Sequence, residues 1–184
     1  MRKGPEFKII GDVSSEDKEK IKKDFENRFH HHLESLSSEE QEYIKKTEYP
    51  KSPKEIELIN FANKVTSQIM EEVGVKPFDI PLENIHILPE EIYRKTANDD
   101  SRATSYSQRQ GIIFNAYRFR DCPVSFASVL VHEMLHLKAP VIIEAKKDVK
   151  EDNKITPYRE GITANSSQKD NLKGMHHSHF DGLH

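Results

Sequence analysis

Residues 124–138 read VSFASVLVHEMLHLK, and the motif VHEMLHL at 131–137 decides how the chain is interpreted. Pro123 precedes a continuous helical pattern, and proline is favoured at the first position of a helix. His132 and His136 are four residues apart, so both imidazoles lie on one helix face and are close enough to bind one zinc ion at about 2.0–2.1 Å. The residues around them are uncharged, and burying histidines there costs free energy unless the rings have partners. The stretch therefore predicts a core helix that carries a metal site.

Glu133, directly after the first histidine, is placed for proton transfer. A residue at this position points to the side of the metal, where a carboxylate reaches a zinc-bound water without ligating the ion. Zinc lowers the pKa of that water toward about 7, and the carboxylate takes its proton as the water attacks a carbonyl. The alternative is a core helix whose histidines bind backbone acceptors, with Glu133 at its edge. We favour a hydrolytic site with one zinc ion and Glu133 as the general base.

The motif resembles the active-site helix of the zincin metallopeptidases. Metzincins need a glycine and a histidine soon after the second histidine, and the residues LKAP at 137–140 exclude that branch. The gluzincin branch takes its third ligand, a glutamate, from a second helix. Glu160 lies 24 residues after His136 in PYREGIT at 157–163, which is similar to the glutamate helix of small bacterial minigluzincins. Thr156-Pro157 is an N-cap and first-position pair and predicts that this helix starts there.

The resemblance implies that His132, His136 and Glu160 bind the zinc ion. Three other residues remain alternatives to Glu160 as the third ligand, namely Glu144, Glu151 and His176. The two alternative glutamates lie on a lysine-rich stretch, which we interpret as solvated surface.

The resemblance also implies two further features of the site. The segment GIIFNAY at 111–117 looks like the edge strand of a gluzincin sheet, in which an Asn-Ala pair, here Asn115 and Ala116, borders the cleft. In that family the strand pairs with the main chain of the bound peptide; the alternative is an ordinary sheet strand that ends at Asn115. Gluzincins often place a tyrosine or histidine beyond the third ligand to stabilise the oxyanion, and Tyr158 and His176 are candidates for that role. The alternative for the His-rich tail is a solvated appendage.

The rest of the chain predicts an α+β fold with a small mixed sheet, the active-site helix and a long helix over 53–73. The resemblance implies that this fold is zincin-like, with a second, glutamate-bearing helix. Strands are predicted at 84–88, 103–107 and 111–116. Residues 1–50 are rich in charge, and we interpret them as a helical N-terminal arm outside a zincin-like domain that spans 51–184. We expect the metal-binding core to fold without the arm. The run His30-His31-His32 lies on the arm, and three consecutive histidines cannot share a helix face, so we expect no metal site there.

Composition excludes several classes of partner. The chain has 184 residues, with 28 Lys and Arg, 31 Asp and Glu and a net charge of −3, so it is not a basic protein held to nucleic acid by counterion release. No apolar run approaches the roughly 18 residues that span a bilayer, and the first eleven residues lack the apolar core of a secretory signal. A single cysteine permits no intramolecular disulfide. We therefore expect a cytoplasmic protein whose partner is a peptide or protein substrate and neither nucleic acid nor a membrane.

These observations predict a zinc metallopeptidase that hydrolyses peptide bonds through a metal-activated water. One alternative is a regulatory peptidase that cleaves a single repressor or antitoxin partner, although no helix-turn-helix pattern accompanies the motif. Another is a catalytically silent zincin that serves as a binding module, and the intact Glu133 argues against it.

Overall fold

The structure, a computed structural model, describes residues 4–97, 101–106, 109–118, 122–147 and 155–157. The helices in this part are α1 Ser15–His30, α2 His32–Ser35, α3 Ser38–Thr47, α4 Pro53–Glu72, α5 Glu90–Ala97 and α6 Pro123–Lys138. The strands are β1 Phe7–Ile10, β2 Ile85–Leu88, β3 Ala103–Tyr106, β4 Gly111–Asn115, β5 Val141–Lys147 and β6 Ile155–Pro157. The α+β fold class predicted from the sequence is confirmed. Within these described ranges, no helix combines the length and apolar character needed to cross a lipid bilayer.

Local sequence signals determine where the longest helix begins and ends. Ser52 caps the start of α4 by accepting from the backbone N–H of Glu55, whose carboxylate accepts from the backbone N–H of Ser52 in return. Pro53 occupies the first helical position, where its missing N–H costs nothing. Gly74 follows the helix with φ of +76°, a left-handed conformation that glycine adopts without strain. The predicted helix over 53–73 is therefore confirmed.

The central sheet has the strand order β2-β4-β3, with β2 parallel and β3 antiparallel to β4. Successive residues of a strand point to opposite faces of the sheet. On one face, Ile85, Ile87 and Phe114 belong to the main core, which also contains residues of α4 and α6. On the other face, Leu88 and Ile113 pack in a second core with a tyrosine of α5. The sheet is therefore buried between helices on both sides.

Of the two interpretations of residues 111–117, the edge strand is wrong and the ordinary sheet strand that ends at Asn115 is confirmed. β4 is the middle strand, because it pairs with β2 on one side and with β3 on the other. All five of its residues are buried, which suits a strand with neighbours on both sides and helices above and below. In the described part of this sheet the edge strands are β2 and β3.

A second sheet with the order β1-β5-β6 packs against α1. β1 is parallel to β5, with Phe7 opposite Val141, and the Phe25 ring of α1 packs against Val141 and Ile143. Neither β5 nor β6 was predicted, since the lysines and glutamate in VIIEAKK suggested solvated surface. The buried residues Val141, Ile143 and Ala145 alternate along β5, which is the pattern of a strand with one buried face.

The predicted helix start at Thr156-Pro157 is wrong, because both residues lie in β6. This strand runs antiparallel to β5, with Pro157 opposite Ala145. A proline is tolerated in an edge strand, where its missing N–H breaks no ladder bond.

Residues from the first fifty pack into the main core and against the second sheet, although a domain boundary at residue 50 stays a prediction. β1 pairs with β5, and Phe29 of α1 is fully buried in the main core, where its ring lies edge-to-face with Phe78 at 5.4 Å between centroids. The side-chain amide of Asn84 donates to the carbonyl oxygen of Phe29 at 3.0 Å. We therefore expect removal of residues 1–50 to abolish cooperative unfolding, the reverse of what the sequence indicates.

Phe29→Ala is expected to lower the free energy of unfolding by about 3–5 kcal/mol, the usual cost of removing a buried phenylalanine ring. Phe61→Ala is the matched control, because Phe61 lies on α4 with 55% of its surface exposed, and its effect should stay within about 0.5 kcal/mol. Urea unfolding followed by circular dichroism measures both. If both substitutions changed the free energy of unfolding by the same small amount, residues 1–50 would not belong to the core, and the boundary at residue 50 would be supported.

Candidate functional site

Helix α6 presents the histidine motif to solvent. Its inward face includes Leu130 and Leu137, which are buried in the main core against the central sheet. His132 and His136 lie on the opposite, exposed side of the helix. The helix is thus buried on one side only, and both imidazole rings are accessible to a ligand.

The two imidazoles converge at their Nε2 atoms. Nε2 of His132 is 3.1 Å from Nε2 of His136, and the ring planes are inclined by 77° with their centroids 4.6 Å apart. Two nitrogens that each bind one zinc ion at about 2.0–2.1 Å with a tetrahedral angle lie about 3.3 Å apart. The described geometry agrees with that separation to within a few tenths of an ångström, so this pair of donors fits a zinc ion.

Glu133 lies between the exposed and buried sides of α6, with 8% of its surface exposed. Loss of surrounding water lowers the pKa of His136, the charge of Glu133 acts in the opposite direction, and His132 lowers that pKa further. The net shift favours the neutral imidazole, which is the form that ligates metal. A carboxylate next to these two imidazoles can accept a proton from a water bound beside them.

Most candidates for the third ligand lie outside the described residues. This holds for Glu160, Glu151 and His176, and also for Tyr158 as a candidate oxyanion stabiliser. The backbone of Glu144 lies in β5 opposite Ile10, while its side chain is outside the described part. Within the described ranges, no three His, Cys, Asp or Glu side chains come together around a metal position.

Asn115 and Ala116 lie at the end of β4 and are both buried. The backbone N–H of Asn115 donates to the carbonyl oxygen of Arg102 at 3.0 Å, and its side-chain oxygen accepts from the backbone N–H of Tyr117 at 3.1 Å. Asn115 thus ends a central strand by capping the turn that follows. This matches the alternative of an ordinary sheet strand, and a role in bordering a cleft stays a prediction.

Lys138, which the sequence analysis did not single out, anchors the end of α6 that carries the motif. Its side chain is 2% exposed, and its Nζ atom donates to the carbonyl oxygen of Asn63 at 3.3 Å and to the hydroxyl of Ser67 at 3.1 Å, both on α4. Burial lowers the pKa of Lys138 to about 8. A lysine in the last turn of a helix is normally solvated, so no local signal predicts this contact.

A second histidine pair was also missed. His32 and His86 are buried with their Nε2 atoms 2.9 Å apart, and Nδ1 of His86 is 3.1 Å from a carboxylate oxygen of Glu48. Burial and the neighbouring His86 lower the pKa of His32 to about 4. The run at 30–32 was expected to lie on a single helix, on which the three rings would point in different directions, whereas α1 ends at residue 30 and α2 begins at residue 32.

Comparison of the chain with protein-family models, with curated proteins and with solved structures found no match. The site on α6 is therefore assessed by its geometry and by the chemistry of its residues.

Lys138→Met is expected to raise the free energy of unfolding at pH 7 by up to about 3 kcal/mol. The pKa of Lys138 is about 8 in the folded chain against 10.5 when exposed, so the buried charge costs free energy below pH 8. That cost disappears as the pH rises from 8 to 10.5, because the folded protein loses the proton first. The difference between wild type and variant should therefore narrow over this range in chemical denaturation. Lys64→Met, at an exposed site on α4, is the control. If the difference in unfolding free energy from wild type changed with pH equally in both variants, the lowered pKa could not belong to Lys138.

Proposed function

We propose that the protein is a zinc-dependent metallopeptidase with a zincin-like fold. The observation that carries the proposal is the convergence of the His132 and His136 Nε2 atoms at 3.1 Å on the exposed side of α6. A buried carboxylate, Glu133, follows the first of these histidines directly in the chain. The mixed sheet that packs on the buried side of this helix is compatible with such a fold.

Each residue of the proposed site has its own role in the reaction. His132, His136 and, as third ligand, Glu160 hold the zinc ion, with Glu144, Glu151 and His176 as the alternatives for the third position. Bound zinc supplies Lewis acidity that polarises the substrate carbonyl and makes water a better nucleophile at neutral pH. The carboxylate of Glu133 accepts a proton from the attacking water and returns it to the leaving amine.

The strand order changes where a peptide substrate is expected to bind. β4 is central, so its main chain is already paired, whereas β3 is an edge strand of the described sheet. α6 packs against β3, and Arg102, directly before β3, donates to the hydroxyl of Ser125 in α6 at 3.3 Å. A peptide added to the edge of β3 would form main-chain hydrogen bonds beside the helix that carries the histidines.

Glu133→Gln is expected to keep zinc and fold but to lower peptide hydrolysis by about 10²–10⁴-fold, because an amide accepts no proton from water. Glu72→Gln, an exposed site at the end of α4, is the control and should retain full activity. Cleavage of casein and of a peptide library measures turnover, and elemental analysis measures zinc. Near wild-type turnover of Glu133→Gln would refute the general-base role. Zinc binding by a wild-type protein that cleaves no substrate would indicate a binding module instead.

Glu160→Ala is expected to weaken zinc binding by more than the about 10–100-fold that loss of an outer-shell partner typically causes. The reason is that two imidazoles alone leave a tetrahedral ion one protein ligand short. Competition with a fluorescent chelator measures the affinity, and Glu151→Ala serves as the matched variant. Unchanged affinity of Glu160→Ala, with a loss in Glu144→Ala, Glu151→Ala or His176→Ala, would reassign the third ligand.

A further inference from the structure

The face of the central sheet opposite α6 carries the second pair of histidines. His86 lies in β2 between Ile85 and Ile87, and strand residues alternate between faces, so its side chain points away from the core shared with α6. His32, the first residue of α2, meets it there. The rings of His32 and His86 are 3% and 2% exposed. This pair is therefore separated by the sheet from the proposed peptidase site.

The Nδ1 atom of each ring, which lies away from the other ring, is within hydrogen-bonding distance of an acceptor. Nδ1 of His32 is 2.7 Å from the carbonyl oxygen of Arg109, which only accepts, so this Nδ1 carries a proton. Nδ1 of His86 faces one carboxylate oxygen of Glu48, and the other oxygen is 2.6 Å from Nζ of Lys51. An ion-paired carboxylate accepts as well, so Nδ1 of His86 is also protonated. Metal-binding histidines are oriented in this way, with the second ring nitrogen donating to a carboxylate or a backbone carbonyl.

The short contact between the two Nε2 atoms requires a cation between them. With both Nδ1 atoms protonated, two neutral imidazoles would face each other with lone pairs on Nε2 atoms only 2.9 Å apart. A shared proton relieves this repulsion by making one ring an imidazolium. A transition-metal ion relieves it by accepting both lone pairs, and the rings need to separate only slightly to reach the about 3.3 Å of a tetrahedral zinc site.

A glycine packs closely against the pair, and a small cavity borders it. A Cβ atom at Gly111 would lie 2.6 Å from Cε1 and 2.8 Å from Nε2 of His32, so only glycine allows the ring this position. A cavity of about 300 Å³ borders both histidines as well as Tyr43 and Tyr106. It has space for several water molecules, each of which occupies about 30 Å³ in the liquid. Coordination positions that the protein does not fill are therefore open to solvent or to a donor atom of a small ligand.

We propose that His32 and His86 bind a divalent transition-metal ion through their Nε2 atoms, with the remaining positions filled from the cavity. Ions that prefer imidazole nitrogen, Zn²⁺ among them, suit this pair. The described part of the chain brings no third His, Cys, Asp or Glu to the ion, so it binds more weakly than at a three-ligand site and keeps exchangeable positions. Because His32 belongs to α2 and His86 to β2, the ion also ties the first fifty residues to the central sheet.

The test starts from the double variant His132→Ala/His136→Ala, whose exposed substitutions remove the proposed peptidase site and leave the buried pair intact. After chelator treatment and dialysis against Zn²⁺, elemental analysis should find one zinc ion per folded chain. Adding His86→Asn should abolish this binding, and adding Glu48→Gln should weaken it by about 10–100-fold, since Glu48 orients the His86 ring. Adding His31→Ala, the exposed neighbour of His32, is the matched control and should change nothing.

A double variant that binds no zinc would overturn the proposal and leave a shared proton between the rings. Zinc that persists with His86→Asn would overturn it too, because the ion is then held elsewhere, for example by the histidines at 176–179. If His86→Asn does not fold, ¹⁵N spectra of the double variant decide, since Zn²⁺ must shift the Nε2 resonances of His32 and His86 and unchanged resonances refute binding. The difference in zinc content between wild type and the double variant measures binding at the peptidase site alone. Either proposal can therefore be refuted without affecting the other.

Discussion

The central sheet has to be covered on both faces, because every residue of β2 and β4 is buried. Helices α4 and α6 cover one face, and α3 and α5 contact the other. This requirement sets the orientation of α6, since Leu130 and Leu137 must face the sheet. A helix repeats every 3.6 residues, so His132 and His136 are then forced outward together. The accessibility of the histidine motif is therefore a consequence of how the sheet is packed.

Two-sided burial also places polar side chains where their N–H donors need partners. The Asn63 side chain donates to the carbonyl oxygen of Ile80 at 3.0 Å and accepts from its backbone N–H at 2.9 Å. The Asn84 amide donates to two backbone carbonyls, one of them 55 residues earlier in the chain. Buried donors left unpaired cost about 1–3 kcal/mol each, so these contacts specify which segments pack together. The His32–His86 contact belongs to the same class of long-range polar pairing.

Elements with local signals could be predicted from the sequence, and elements that depend on distant partners could not. Capping residues and apolar periodicity located α4, and Pro123 before a continuous apolar stretch located α6 and with it the three residues of the motif. β5 was missed, because its lysines and glutamate outweighed a short alternation that becomes meaningful only when β1 lies beside it. The edge position assigned to residues 111–115 failed for the same reason, since strand order is a property of the whole sheet. His32 and His86 are 54 residues apart, and no pattern within a single helix or strand joins them.

The parallel pairing of β1 with β5 also orders events during synthesis on the ribosome. β1 emerges first, but its partner strand begins only at Val141, after all the helices and the central sheet of the described chain have been made. Closing so long a loop carries a large entropic cost before any contact compensates for it, which slows folding. Until then Phe7 and Ile9 remain on an unpaired strand edge, the kind of surface that invites aggregation. In the folded chain α1 packs against Phe7 and Ile9, so it is the element already synthesised that can cover these side chains until the strand that follows α6 arrives.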